Sequence, residues 1–148
     1  MIKYVILILI IINSNYLFGQ KDSLYREYNN QGKLILEGKI IVNEKKFTEV
    51  RVGLWKRWDD TLGYLKFTYN YKNDRYHGDY FEYYQNGKIK VKGYYDYNYS
   101  FKETKTKNGN LVYYEVAYGI WEGYDLTGKL IWRSKFNKRG KQIKEEHF

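Results

Sequence analysis

The chain has no cysteine and no proline among its 148 residues, and only two histidines. Without cysteine there is no disulfide framework, no thiolate zinc site, no cysteine nucleophile and no lipid-modified cysteine. Without proline there is neither a cis-prolyl switch nor a polyproline spacer. Beyond residue 20 there is also no helical period of useful length. What is abundant is aromatic: 19 Tyr, 4 Trp and 7 Phe, 20% of the chain. That content excludes a disordered chain, because disorder follows from a shortage of groups that bury apolar surface. The formal net charge is +9.

The first segment reads as an export signal. Met1-Ile2-Lys3 is a short basic start, Tyr4 to Ile12 an apolar run, and Asn13 to Gln20 a polar stretch that includes the small residue Gly19. This is the layout of a secretory signal peptide, with cleavage expected near Gly19/Gln20. A membrane span needs roughly 20 apolar residues, and Asn13, Ser14 and Asn15 interrupt this run early. The expected division is a signal peptide over 1–19 and one domain over 20–148. An exported chain that manages without cysteine points to a bacterial periplasmic or extracellular setting.

Self-similarity organises the remainder. A small residue is followed two positions on by an aromatic, three further by another, and four beyond that by Gly, then a basic and an apolar residue. The pattern appears as Ser23, Tyr25, Tyr28, Gly32, Lys33, Leu34, then as Gly78, Tyr80, Tyr83, Gly87, Lys88, Ile89, and as Gly119, Trp121, Tyr124, Gly128, Lys129, Leu130. Gly53, Trp55 and Trp58 begin a further copy with one extra residue before Gly63. The unit starts are unevenly spaced, and the wide interval before Gly119 is read as hiding a degenerate unit around Asn108-Gly109.

Each unit reads as a β-hairpin. Asn86-Gly87 has the composition of a tight two-residue turn in which both residues take positive φ. Lys88-Ile89-Lys90-Val91-Lys92 then alternates, which places Ile89 and Val91 on one strand face and three lysines on the other. Leu130, Trp132 and Phe136 oppose Lys129, Arg133 and Lys135 in the same way. Phe67, Tyr69 and Tyr71 form another stripe, and Tyr95, Tyr97, Tyr99 and Phe101 a fourth. β-Branched and aromatic residues favour strands, so the fold class is all-β.

Units of the form Gly-x-Trp/Tyr-x-x-Tyr/Trp-x-x-x-Gly-Lys-Leu/Ile resemble the MORN-repeat variant of exported and antitoxin-like bacterial proteins. The resemblance runs across residues 23 to 143. It implies an elongated, twisted antiparallel sheet of consecutive hairpins with aromatics packed between neighbours, and it does not imply an enzyme.

The unit residues Tyr25, Tyr28, Gly32, Gly53, Trp55, Trp58, Gly78, Tyr80, Tyr83, Gly87, Gly119, Trp121, Tyr124 and Gly128 are expected to be structural. Tyr95, Tyr97 and Tyr99, in the irregular interval, are the candidate aromatic binding surface. Lys88, Lys90, Lys92, Arg133 and Lys135 are the candidate basic one, since the C-terminal segment concentrates Arg133, Lys135, Lys138, Arg139, Lys141 and Lys144 against Glu145 and Glu146. Solvated strand faces are the favoured account of such basic residues. No metal or cofactor is expected, because His77 and His147 lack a third ligand at useful spacing, and no serine lies in a nucleophile elbow. The expected role is a noncatalytic, exported scaffold that binds another protein. The alternatives are a module that binds envelope glycan or anionic lipid headgroups and, less compatible with export, an antitoxin-like component of a toxin pair. Nucleic acid is not an expected partner.

Overall fold

The computed structural model describes residues 20–43, 48–98, 101–105 and 111–148, with side chains for 21–43, 48–98 and 115–148. The signal segment 1–19, Tyr99 and Asn108-Gly109 lie outside the described residues. The chain is all-β. Its strands are β1 (Gln20–Tyr28), β2 (Leu34–Asn43), β3 (Thr48–Trp58), β4 (Leu65–Lys72), β5 (Arg75–Tyr83), β6 (Ile89–Tyr95), β7 (Phe101–Lys105), β8 (Leu111–Glu115), β9 (Tyr118–Tyr124), β10 (Leu130–Phe136) and β11 (Gln142–His147). Nine of them form one antiparallel sheet in the order β1-β2-β3-β4-β5-β6-β9-β10-β11, while among the described residues β7 and β8 pair only with each other. The sheet is open, with β1 and β11 as its edges.

The wide interval before Gly119 therefore has a different cause from the one the sequence indicated. β7 and β8 are a hairpin inserted between two strands that pair directly, β6 with β9. They are not a unit of the stack. The Tyr95-to-Phe101 stripe breaks for the same reason: β6 ends at Tyr95, and Tyr97 and Asn98 lie in a turn leading to the insertion.

The turns differ from the two-residue reading. At 84–88 the Gly87 amide donates to the Tyr84 carbonyl and the Tyr84 amide to the Lys88 carbonyl. Only Gly87 has positive φ, at 80°. This longer loop, closed by a glycine in the left-handed region, recurs at Asn29–Lys33, Asp125–Lys129 and Asn137–Lys141. The carboxamide or carboxylate of Asn29, Asp125 and Asn137 accepts the backbone amides two and four residues on. Asp59 caps the 59–64 loop, which has the extra residue, through Thr61 and Leu62. The true two-residue turn is Asn73-Asp74, between β4 and β5, where both residues have positive φ (51° and 63°) as a right-twisted hairpin demands. Arg51 on β3 holds it: its backbone amide and its Nε both donate to the Asp74 carboxylate, at 3.0 and 2.9 Å.

The glycines that open three of the units have a shared function. Around Gly53, Gly78 and Gly119, with φ of 66°, 95° and 72°, three residues of one strand stand opposite one of its neighbour. Such bulges need a residue tolerant of positive φ, and they re-aim the side chains just beyond them. The side chains re-aimed in this way are Trp55, Tyr80 and Trp121, each two residues past its glycine.

These rings build the core on one face of the sheet. Ile40, Trp55, Tyr69 and Tyr71 are buried, with Tyr25, Leu36, Val42, Phe67, Tyr76 and Tyr80 against them. Ring contacts run without a gap from β1 to β10, from Tyr25 to Trp55, Tyr71, Tyr76, Tyr95, Trp121 and Phe136, at centroid distances of 5.5, 5.7, 4.9, 5.0, 5.1 and 6.4 Å. The rings can lie down because the strand beneath lacks a side chain. A Cβ on Gly38 would sit 2.0 Å from the Trp55 ring, and one on Gly93 2.2 Å from the Trp121 ring. Gly38 is opposite Tyr25 and Gly93 opposite Tyr80. Both glycines thus let two aromatics meet across them, at 5.5 and 5.3 Å.

Burial pushes the phenols of this row up, Tyr69 and Tyr95 to about 12 and Tyr71 and Tyr80 further. A raised acid pKa stabilises the fold below the unfolded value of 10 and loses that contribution as pH climbs through the folded value. In an alkaline titration followed by phenolate absorbance, these four are expected to stay neutral after the exposed tyrosines have ionised. They then ionise together with the loss of near-ultraviolet circular dichroism. Ionisation of every tyrosine before any unfolding would contradict this packing.

Candidate functional site

The second aromatic of each unit lies three residues after the first, so it emerges on the opposite face. There, near the turns, Tyr83 stacks on Phe81 (6.2 Å) and shares a hydrogen bond with Thr68. Tyr124 donates to Glu122 at 2.8 Å. On this face one row of directly opposed residues crosses all nine strands: Arg26, Glu37, Lys56, Thr68, Phe81, Lys92, Glu122, Arg133 and Glu146. Charges alternate along both halves of the row.

Of the five basic residues marked by the sequence, Lys92 and Arg133 belong to this row. Lys92 and Arg133 converge on Glu122, which is 7% exposed, at 2.7 and 2.6 Å. Burial pushes the Glu122 carboxyl up, but hydrogen bonds from Lys92, Tyr124 and Arg133 outweigh it and hold it at about 2. The register skips Lys90 beside Val91, which breaks the expected three-lysine face, and Lys90 instead meets Glu82 at 2.8 Å. Lys88 donates to the Thr127 carbonyl at 2.8 Å and so ties the 84–88 turn to the 125–129 turn. Lys135 is exposed and stands opposite Lys144.

The aromatic candidates divide. Tyr95 is part of the ring row, between Tyr76 and Trp121. Tyr97 lies at the end of the sheet where the β4–β5 turn meets the chain leaving β6. Lys72 Nζ is 5.0 Å and Arg75 Cζ 5.5 Å from its ring centroid, within cation–π range. The Tyr97 amide donates to His77 Nδ1 at 3.2 Å. A cation-flanked ring with an imidazole beside it is an arrangement suited to anionic or hydroxylated ligands. Lys72 and Arg75 were not singled out from the sequence, and His77 was considered only as a metal ligand. The available signal was the Lys-Asn-Asp-Arg turn, whose basic ends are brought together by the two-residue reversal. Among the described residues no group of three or more His, Asp or Glu is placed to hold a metal ion. No family model, curated protein or solved structure matches the chain.

Proposed function

We propose that this protein is a noncatalytic, exported scaffold whose sheet binds another protein, and that its repeats are of the MORN-like kind. The observation that supports the reading is the open sheet. It ends in two strands, β1 and β11, each paired on one side only, and an unpaired strand edge is a template for strand addition by a partner. The second face adds exposed Tyr94 and Leu54 beside the charged row, and such side chains give a docking protein apolar anchors.

A second reading has its own support. Tyr97 with Lys72, Arg75 and His77 forms a patch suited to envelope glycan or anionic lipid headgroups, where a ring face and cations act together.

The two readings separate when the immobilised protein is offered its own envelope fraction before and after polysaccharide digestion and lipid extraction. Protein partnership predicts capture of a defined protein species unaffected by either treatment and by Tyr97→Ala. Capture that disappears on digestion or extraction, and with Tyr97→Ala, overturns the scaffold reading in favour of the patch.

A further inference from the structure

The two edges of the sheet are chemically unlike. β11 ends in Lys144-Glu145-Glu146-His147, where Lys144 pairs with Glu146 and His147 with Glu145. Charges along an edge discourage pairing. An antiparallel match of β11 with itself about its middle sets Lys144 against Lys144, or Glu145 against Glu145, across the axis.

β1 has the opposite character. Two copies related by a two-fold axis normal to the sheet pair antiparallel and keep their faces aligned only if a residue sits opposite itself, because a slip by one residue exchanges the faces. Centred on Leu24, the strand Gln20-Lys21-Asp22-Ser23-Leu24-Tyr25-Arg26-Glu27-Tyr28 is its own complement. Lys21 falls opposite Glu27 of the second copy, Asp22 opposite Arg26, Ser23 opposite Tyr25, and Leu24 opposite itself. Both pairs of opposite charge occur twice. Centring on Ser23 or on Tyr25 produces no opposite-charge pair.

The side chains concerned are available. Leu24 is 45% exposed although apolar. Asp22 and Arg26 keep 61% and 39% of their side-chain surface while contacting Lys39 and Glu37 of β2. Pairing about Leu24 puts Asp22 of one copy next to the Arg26–Glu37 pair of the other, so the alternation of charge along the row continues across the junction.

We propose that β1 pairs with β1 of a second copy, antiparallel and centred on Leu24, joining two nine-stranded sheets into one. This goes beyond the scaffold reading, and it leaves both faces and the β11 edges to any partner. The two proposals fail separately, because dimerisation is measured on the purified protein alone.

The absence of native cysteine makes the test direct. Opposed Cα atoms in an antiparallel pair are about 4.5 or 5.5 Å apart, inside the disulfide range. Under mild oxidation Leu24→Cys is expected to form a covalent dimer of twice the mass of the single chain. Ser23→Cys, set opposite Tyr25, and Ile143→Cys, on the β11 edge, are expected to remain largely uncrosslinked. In sedimentation of the unmodified protein, K21E or E27K alone is expected to weaken the dimer by about tenfold or more, since each creates two like-charge pairs. The exchange K21E/E27K restores it. Circular dichroism in the aromatic region reports whether each variant is folded. The proposal is overturned if the purified protein sediments as a monomer throughout the micromolar range. It is equally overturned if Ile143→Cys crosslinks as readily as Leu24→Cys, or if folded K21E/E27K stays as weak as the single variants.

Discussion

Trp55→Ala is expected to remove about 3–5 kcal/mol of stability, a large share of the roughly 5–15 kcal/mol that holds a domain together. Trp55 is 3% exposed. Its ring meets Tyr25 and Tyr71, and its Nε1 donates to the Val52 carbonyl of the bulge at 3.2 Å. The rings around it are anchored on their own strands, which limits how far they can collapse into the space it leaves. The ring depends in turn on Gly38. A methyl there would come 2.0 Å from an indole carbon, and the indole is wedged between two further rings, so Gly38→Ala is expected to cost about 1–3 kcal/mol by overpacking. In the Trp55→Ala background the clash is gone, and alanine is favoured over glycine in a strand by roughly 0.5–1 kcal/mol. The sign of the glycine substitution should therefore reverse. Urea unfolding of the two single variants and the double gives the coupling directly. Equal costs for Gly38→Ala in both backgrounds would show that the glycine is not there for the ring. Trp58→Ala, at a half-buried position on the other face, is expected to be milder.

Glu122→Gln should produce the second large loss, about 2–3 kcal/mol at neutral pH. The carboxylate receives Lys92, Arg133 and the Tyr124 hydroxyl at once, and glutamine keeps the shape while leaving two cations without their counter-charge. Lys92 and Arg133 are 46% and 41% exposed, and water screens part of the loss, which sets the value below that for a fully enclosed pair. The pH dependence has a definite sign. The folded pKa is lowered from 4.5 to about 2, so the contribution is complete above pH 4.5 and fades as acid approaches 2. The wild-type protein is therefore expected to lose stability through that window, while E122Q shows a flatter acid limb. Parallel acid profiles for the two proteins would mean that Glu122 does not carry the dependence.

Much of this fold was legible because strand periodicity is local. The stripe Phe67, Tyr69, Tyr71 predicted β4 and its inward face, and the recurring Gly-x-aromatic spacing located β3, β5 and β9. The same pattern was misread where geometry depends on the opposite strand. Asn86-Gly87 has the composition of a two-residue turn, yet the hydrogen bonds of Tyr84 make the loop longer. Asn73-Asp74, which contains no glycine, takes the tight form because Arg51 of β3 holds Asp74. The glycine opening three of the units was recognised as small, while its service in a bulge required knowing the register.

The candidate site followed the same division. Alternation correctly placed Lys92, Glu122 and Arg133 among strand residues but did not bring them together, because the partners of Glu122 come from strands thirty residues before and eleven after it in sequence. Tyr95 and Tyr97 looked equivalent in the chain. One ended in the ring row and the other beside Lys72 and Arg75, since β6 stops between them.

By itself, the sequence determined that this chain folds, that it is built of hairpins, and that aromatic packing rather than disulfides must hold it together. Composition and period are properties of neighbouring residues, and they survive without any knowledge of the fold. Only the tertiary structure decided that β7 and β8 stand outside the sheet, that Gly38 and Gly93 let rings meet, that Lys90, Lys92 and Arg133 are each paired with a carboxylate, and that a self-complementary strand lies at an open edge. Those outcomes depend on which strand lies beside which and in what register, and cross-strand contact is where the packing and pairing energy of a sheet resides.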